Sequence, residues 1–325
     1  MKIVIVTSAG LSGAGAISDY LLSRSDFTSP FKNKLDYKQD YELRMVADPF
    51  GIDHLYQNFY ENFSINNAAY SLFQFTNYIN NLKKIKDVLS KKPIYNKFFF
   101  DQVDLYKKKI VKLSYYGLPQ HYSISMSPYQ KLTWRISNYN QSKFAQETNF
   151  YKMVIPVNKK KFMSVTNKFL LKVISQHDLT KKKNIVVDQG GNFWNPISST
   201  KYFINSKVIQ VIRDPKAIFS SMKTRKSLSY PGNDINLFIK WFKEIQEKRN
   251  YHEEKKTLQI KFEDFVLKHE IIKKKINNFL KIKNEITDFD LENSKKNIFK
   301  YKKNLTTKEI KKINLKLKKF IYFND

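Results

Sequence analysis

"KIVIVTSAGLSGAG", residues 2–15, decides how the rest of the chain is read. Residues 2–7 form a short apolar run that ends in small residues and glycine, the pattern of a buried strand. Ile17, Tyr20 and Leu21 then share one face of a helix. Strand, glycine loop, helix is the layout of a phosphate-binding loop. Gly10, Gly13 and Gly15 permit turns that point successive N–H groups inward, and Ser12 can add a hydroxyl. A helix starting near Gly15 adds its dipole and free N–H groups. Backbone N–H groups over Ser12, Gly13, Ala14, Gly15 and Ala16 thus make an anion cradle without a charged side chain. The same residues also suit an ordinary tight strand-to-helix turn. The pattern G-x-x-x-x-G-K-[ST] can be laid on Gly10 through Ile17, but Ala16 fills the lysine position and Ile17 the Mg²⁺-binding hydroxyl position. ATP hydrolysis is therefore disfavoured, whereas binding of a less charged phospho-group is not.

Further along, "YELRMVADPFG", 41–51, reads as a second strand running into a turn at Asp48-Pro49. Residues 52–118 carry aromatic and Lys residues at helical spacing and read as mainly helical. "HYSISM" and "FYKMVIPV" read as strands, and Phe162, Val165, Phe169, Leu170 and Val173 mark a helix. From residue 184 strands and helices alternate. "NIVVD", "KVIQVI" and "TLQIKF" are short apolar runs, and Ile235, Phe238, Ile239, Phe242 and Ile245 share a helix face. Ile310, Ile313, Leu317 and Phe320 are at helical spacing in the Lys-rich tail. The alternation predicts an α/β fold with a central parallel sheet flanked by helices. The expected organisation is a single domain, 1–325, with a mainly helical insertion at about 52–150.

"KVIQVIRDPKAIFSSM", 207–222, carries the second signal. Arg213 follows the strand at its C-terminal edge, where ligands gather in open α/β sheets. Asp214 is a natural N-cap, and Pro215 suits the first helical position. Arg213 and a serine on the helix could grip one phosphate from two sides; Arg213 could instead pair with Asp214. This stretch resembles the 3′-phosphate-binding motif of PAPS-dependent sulfotransferases, with Arg213 and Ser221 in the positions of the two ligands. "GLSGAGAISDYL" resembles the 5′-phosphosulfate loop of the same family. "LQIKFEDFV", 258–266, resembles its later strand–acidic–helix segment. "NIFKYKKNLTTKEIKKI", 297–313, resembles its C-terminal lysine-containing segment, which implies nucleotide contacts from Lys300 and Lys302.

The resemblance implies a P-loop-like sulfotransferase fold and PAPS as co-substrate, with no metal. It also implies transfer of a sulfuryl group to a hydroxyl or amine of a glycan, lipid or small molecule. In one respect the chain departs from the family: Leu11 stands where a basic residue normally precedes Ser-Gly. Either another cation substitutes, with Arg44 and the Lys300–Lys303 region as candidates, or transfer is impaired. The base in the family is His or an acidic residue, commonly at the end of the strand before the 3′-phosphate strand. Asp188 fills that slot, although it could equally close a turn with Gly190 and Gly191. Glu42 and Asp48 are second choices. His54 reads as a surface or satisfied histidine, and His121, His252 and His269 show no constellation. The insertion is expected to form the acceptor pocket.

Bulk composition sets the rival functions. A formal net charge of +30 attracts polyanions and anionic surfaces, although much of the lysine reads as solvated surface. Basic residues are spread along the chain rather than gathered with aromatics in one module, so dedicated nucleic-acid binding is not expected. The sequence contains no cysteine, which excludes disulfides and thiolate metal sites and fits a reducing compartment. No apolar run approaches the ~20 residues of a membrane span. A cytoplasmic enzyme acting on a surface-polysaccharide precursor is the expectation. A P-loop kinase or NTPase, with Asp188 on Mg²⁺, and an impaired sulfotransferase-fold protein acting as a basic binding module are the alternatives.

Overall fold

The computed structural model describes residues 2–29, 41–86, 91, 93–116, 127–129, 131–132, 152–175, 184–226, 230–248 and 255–322, and "HYSISM" lies outside them. The chain divides into two compact units, one of residues 1–33 and 178–325, the other of residues 34–177. The expected insertion of about 52–150 falls wholly within the second.

The first unit is built on a parallel five-stranded sheet with helices packed on it, the expected α/β architecture. Its strands are β1 (Lys2–Ser8), β2 (Phe27–Thr28), β5 (Asn184–Asp188), β6 (Ser206–Ile212) and β7 (Thr257–Lys261), in the order β2-β5-β1-β6-β7. β1 is the centre: Val6 lies opposite Asp188 of β5 and opposite Ile209 of β6. The C-terminal ends of these strands therefore open on one edge, the usual ligand edge of such sheets.

Strict burial explains why the runs are so apolar. Ile3, Val4, Ile5 and Val6 are all buried, because helices and loops cover both faces. Val4 and Val6 pack with Ile17, Tyr20 and Leu21 of the helix Ala14–Leu22, which continues into Phe265, Ile276 and Leu280. A separate cluster joins the helices Pro215–Arg225, Ile235–Lys248 and Thr307–Lys316 through Phe219, Phe238 and Ile313.

The second unit holds the helices Ile52–Tyr56, Ile65–Lys83, Lys97–Ile110 and Lys159–Ser175. It also holds an antiparallel pair, β3 (Val111–Tyr116) and β4 (Lys152–Pro156). β4 lies within "FYKMVIPV", as expected, whereas β3 falls in a stretch read as helical.

The strand expected at 41–51 is not present. Tyr41–Arg44 is a short helix, followed by a turn. Ile52 N–H donates to the Met45 carbonyl and Asp53 N–H to the Val46 carbonyl, folding the segment back on itself. Leu43, Met45 and Val46 are buried there, so apolar burial alone mimicked a strand. Among the described residues no helix is long and apolar enough to cross a membrane.

Candidate functional site

The glycine loop leaves β1 through Ala9 and enters the helix Ala14–Leu22. Leu11 and Gly13 both have left-handed backbone, with φ of 66° and 87°. Alternating hands of this kind turn successive N–H groups to the same side and make a concave anion nest. Ser12 is buried, and its hydroxyl donates back to the Ala9 carbonyl, bracing the loop from within. The Ala16 N–H donates to the Gly13 carbonyl at 3.1 Å, closing the first helical turn. Of the loop donors expected over Ser12–Ala16, that N–H already has a protein acceptor.

The three loop glycines differ. A Cβ on Gly10 would lie 2.6 Å from the Tyr230 phenol oxygen, and one on Gly13 would lie 2.5 Å from the Phe262 ring. A Cβ on Gly15 would meet nothing within 4 Å. Gly10 and Gly13 are close-packed, and Gly15 faces open space at the helix start.

Arg213 comes to the loop from the end of β6. Its Nη1 donates to the Leu11 carbonyl at 3.0 Å and its Nη2 to the Asn297 carbonyl at 2.7 Å. The guanidinium lies 4.9 Å from the Phe262 ring centroid, so the ring that crowds Gly13 also packs against Arg213. Its Nε is buried and has no hydrogen-bond partner among the described residues. Burial pulls the Arg213 pKa below its usual range, opposed by the charges of Glu263 and Asp214. Arg225, the last residue of the helix Pro215–Arg225, adds a like charge in the field of Arg213. The sequence reading gave Arg225 no role, although it stands one turn beyond Ser221.

The helix after Arg213 starts as expected. Asp214 Oδ1 accepts from the Lys216 N–H at 2.9 Å, and Pro215 takes the first position. Asp214 Oδ2 accepts from the Tyr322 N–H at 3.0 Å, so the cap also pins the C-terminal segment. Asp214 thus serves as a cap, and its charge also acts on Arg213. Ser221 is half-buried, and no hydrogen bond joins it to Arg213 among the described residues. Its neighbour Ser220 accepts from the Asn304 amide at 3.0 Å, tying this helix to the Lys-rich tail. Lys300 and Lys302 are exposed on that tail, and the Lys302 ammonium lies 5.4 Å from the Phe299 ring centroid.

Leu11 is partly buried against the cluster that contains Phe219 and Phe238. Leu11 is thus an apolar contact of that cluster. Leu11→Lys should lower stability by about 1–2 kcal/mol, because the apolar contact is lost and the ammonium must reach out to water. Chemical denaturation measures this directly.

Glu263 is the buried acid of the site. Its Oε1 accepts from the Asp214 N–H at 2.9 Å, while Oε2 is buried with no hydrogen-bond partner among the described residues. Burial pushes its pKa up to about 7, the Asp214 charge adding to the rise and the Arg213 charge opposing it. The folded state therefore binds a proton that the unfolded chain, near its ordinary 4.5, has already released. Stability from this group is fully present below that lower value and declines as pH rises towards about 7. Glu263→Gln keeps the acceptor and removes the titration. It should flatten the stability–pH profile over that window by on the order of 2–3 kcal/mol, measured by urea unfolding at several pH values.

Asp188 ends β5 and is half-buried; its Oδ1 accepts from the Ser18 hydroxyl at 2.8 Å. The next residue, Gln189, has φ of 54° and donates from its amide to the Ser8 hydroxyl at 3.1 Å. Asp188 thus stands on the same sheet edge as the loop, steadied by the loop's own helix.

Glu42, Asp48 and His54 lie in the second unit. Glu42 is on the short helix Tyr41–Arg44, and its side chain is outside the described residues. Asp48 accepts from the Tyr78 hydroxyl at 2.8 Å and pairs with Arg44 at 3.8 Å. Burial raises the Asp48 pKa against the pull of Arg44. Burial lowers the His54 pKa, and Asn58 contacts its ring. His269 stacks with Phe289 and contacts the Phe265 carbonyl, a packed histidine. His121 and His252 lie outside the described residues.

No family model matches the sequence, and no curated protein matches it. Among solved structures, the chain is similar to the sulfotransferase domain from the curacin biosynthetic pathway, with 13% identity and a TM-score of 0.43 over 97% of this chain and 96% of that one. The sulfotransferase domain of the Synechococcus PCC 7002 olefin synthase matches at 11% identity and a TM-score of 0.43, over 100% and 96% of the two chains. A sulfotransferase from Mycobacterium avium matches at 11% identity and a TM-score of 0.37, over 99% and 77%.

Proposed function

We propose that this chain is a PAPS-dependent sulfotransferase that moves a sulfuryl group to a hydroxyl or amine of a glycan, lipid or small-molecule acceptor. One observation carries the reading: Arg213 reaches from the end of β6 to the Leu11 carbonyl of a left-handed glycine loop. The two stretches read as anion-binding motifs thereby stand side by side on one sheet edge. Gly15 leaves the approach to the helix start open.

The chemistry follows from these groups. N–H groups of residues 10–15 and the helix dipole would hold the 5′-phosphosulfate. Arg213 would supply positive charge, with Ser221 and the Lys300–Lys303 region completing the hold on the 3′-phosphate end. An acceptor oxygen attacks sulfur, and the bond from sulfur to the bridging oxygen breaks. The electron pair leaves on the 5′-phosphate, and the acceptor proton passes to the Asp188 carboxylate. Preorganised N–H donors stabilise the charge that builds on the leaving oxygen. The missing Lys and Ser/Thr of an NTPase loop are not needed, because there is no metal–γ-phosphate unit to hold.

Calorimetric titration separates this from its rivals. PAP should bind at least about tenfold more tightly than AMP, from one added charge-assisted phosphate contact. A radiolabelled sulfate-transfer assay over a panel of glycan, lipid and phenolic acceptors should then show turnover. Equal affinity for PAP and AMP would overturn the reading. Mg²⁺-dependent ATP binding without PAP binding would favour a kinase-like protein.

A further inference from the structure

We propose that the second unit carries its own binding site, which takes a single-chain anionic amphiphile: an apolar chain with a carboxylate or phosphate head, bound as a monomer. The site is a cleft of about 890 Å³ between the helices Ile65–Lys83 and Lys97–Ile110 and the β3–β4 pair. That volume is in the range of small-molecule sites.

The helix Ile65–Lys83 shows why the cleft is apolar. Ala68, Ser71, Phe75, Ile79 and Leu82 are its buried core stripe. Leu72, Phe73 and Thr76, with the buried Ala69 beneath them, form a second stripe, spaced i, i+3, i+4, i+7, and line the cleft. A surface helix normally turns polar residues to that side. Here Phe73 is 40% exposed. Across from it, Ser114 pairs with Val154 and Tyr116 with Lys152 on one face of the β3–β4 ribbon. A concave apolar surface left open in this way is a binding feature.

The rim fixes the head group. Lys107, Lys108, Lys112 and Lys152 line the cleft against a single carboxylate, Asp104. Lys107 is held to Asp104 at 2.8 Å, and Lys152 lies 5.9 Å from the Tyr116 ring centroid. Lys107 and Lys108 sit in the last turn of their helix, an ordinary place for lysine. Lys112 and Lys152 lie on strands, so the helix end does not account for the whole cluster. Cationic rim and apolar floor together select a molecule with both characters. A second copy of this chain is disfavoured as the occupant, because each copy carries +30. A flat bilayer does not enter a concave cleft.

The test uses the full chain and calorimetry below micelle-forming concentrations, with dodecanoate, dodecanol and inorganic phosphate as probes. Dodecanoate should bind saturably and at least about tenfold more tightly than dodecanol, as one charge-assisted contact provides. Lys108→Glu with Lys112→Glu should weaken dodecanoate by about tenfold or more and leave dodecanol within about twofold. Phe73→Asp should weaken both chains. Lys274→Glu with Lys311→Glu, the same change in net charge made on the other unit, should leave dodecanoate within about twofold. Non-saturable uptake, equal affinity for acid and alcohol, or equal losses in the two charge-reversal variants would overturn the proposal. Binding confined to anionic phospholipid vesicles, or self-association that blocks dodecanoate, would overturn it as well. Loss of PAP binding by the nucleotide-site variants would not bear on it, since the cleft shares no residue with that site.

Discussion

Arg213→Ala is expected to lower stability by about 2–3 kcal/mol and to weaken PAP binding by about tenfold or more. Two losses combine in the folded protein. The charge-assisted bonds to the Leu11 and Asn297 carbonyls disappear, and so does the guanidinium packed on Phe262. The Leu11 loss is the more consequential. A leucine at φ 66° sits in a region that disfavours a Cβ by roughly 1–2 kcal/mol, and it stays there only while its surroundings hold it. Arg213 is one of the groups that hold it. The destabilisation is limited because burying a guanidinium is itself costly, as the lowered Arg213 pKa records. Arg213→Lys should not restore both bonds, since an ammonium is a point donor without the planar fork. Urea unfolding and PAP calorimetry on both variants read the two effects separately. A variant that loses stability but keeps its PAP affinity would make Arg213 a staple between loop and tail and remove it from the proposed nucleotide site.

Gly13→Ala should be of similar size, for a different reason. Its Cβ would stand 2.5 Å from the Phe262 ring, on a backbone at φ 87°. Left-handed backbone and overpacking together should destabilise the protein by about 2–4 kcal/mol. Phe262 cannot yield freely, because the Arg213 guanidinium also packs on its ring. Any shift of the ring therefore moves the guanidinium that grips the loop, and PAP affinity should fall with stability. Gly15→Ala is the matched control: its Cβ meets open space, and the residue is already in the helix. Its stability should change by no more than about 1 kcal/mol, on the favourable side, through the smaller entropy of the unfolded chain. Thermal unfolding of the pair, followed by PAP titration of each, checks both statements. Equal behaviour of the two alanine variants would mean that Phe262 does not couple the loop to Arg213.

The sheet was legible in the sequence because its strands are buried on both faces. Short apolar runs such as "NIVVD" and "KVIQVI", each bounded by polar or turn residues, have few other uses. The helix start at Asp214-Pro215 was legible as well, because capping is local chemistry between a carboxylate and the N–H two residues on. β3 was hidden, since "VKLSYY" becomes a strand only by pairing with β4 nearly forty residues away. Residues 41–51 misled for the converse reason: burial drives apolar residues into a turn as readily as into a strand.

The candidate site divides the same way. Its glycines, Arg213 and Asp188 could be picked out because each sits next to a strand end, and strand ends meet at one edge of a parallel sheet. Three features depended on contacts made across the fold. Phe262 packs against both Gly13 and Arg213, Glu263 accepts from the Asp214 amide, and Leu11 packs on a core cluster formed by helices two to three hundred residues further on. Sequence patterns report what a residue does for its own strand or helix. Which ring fills the space beside a glycine, and which carboxylate loses its water, is decided only when distant segments pack.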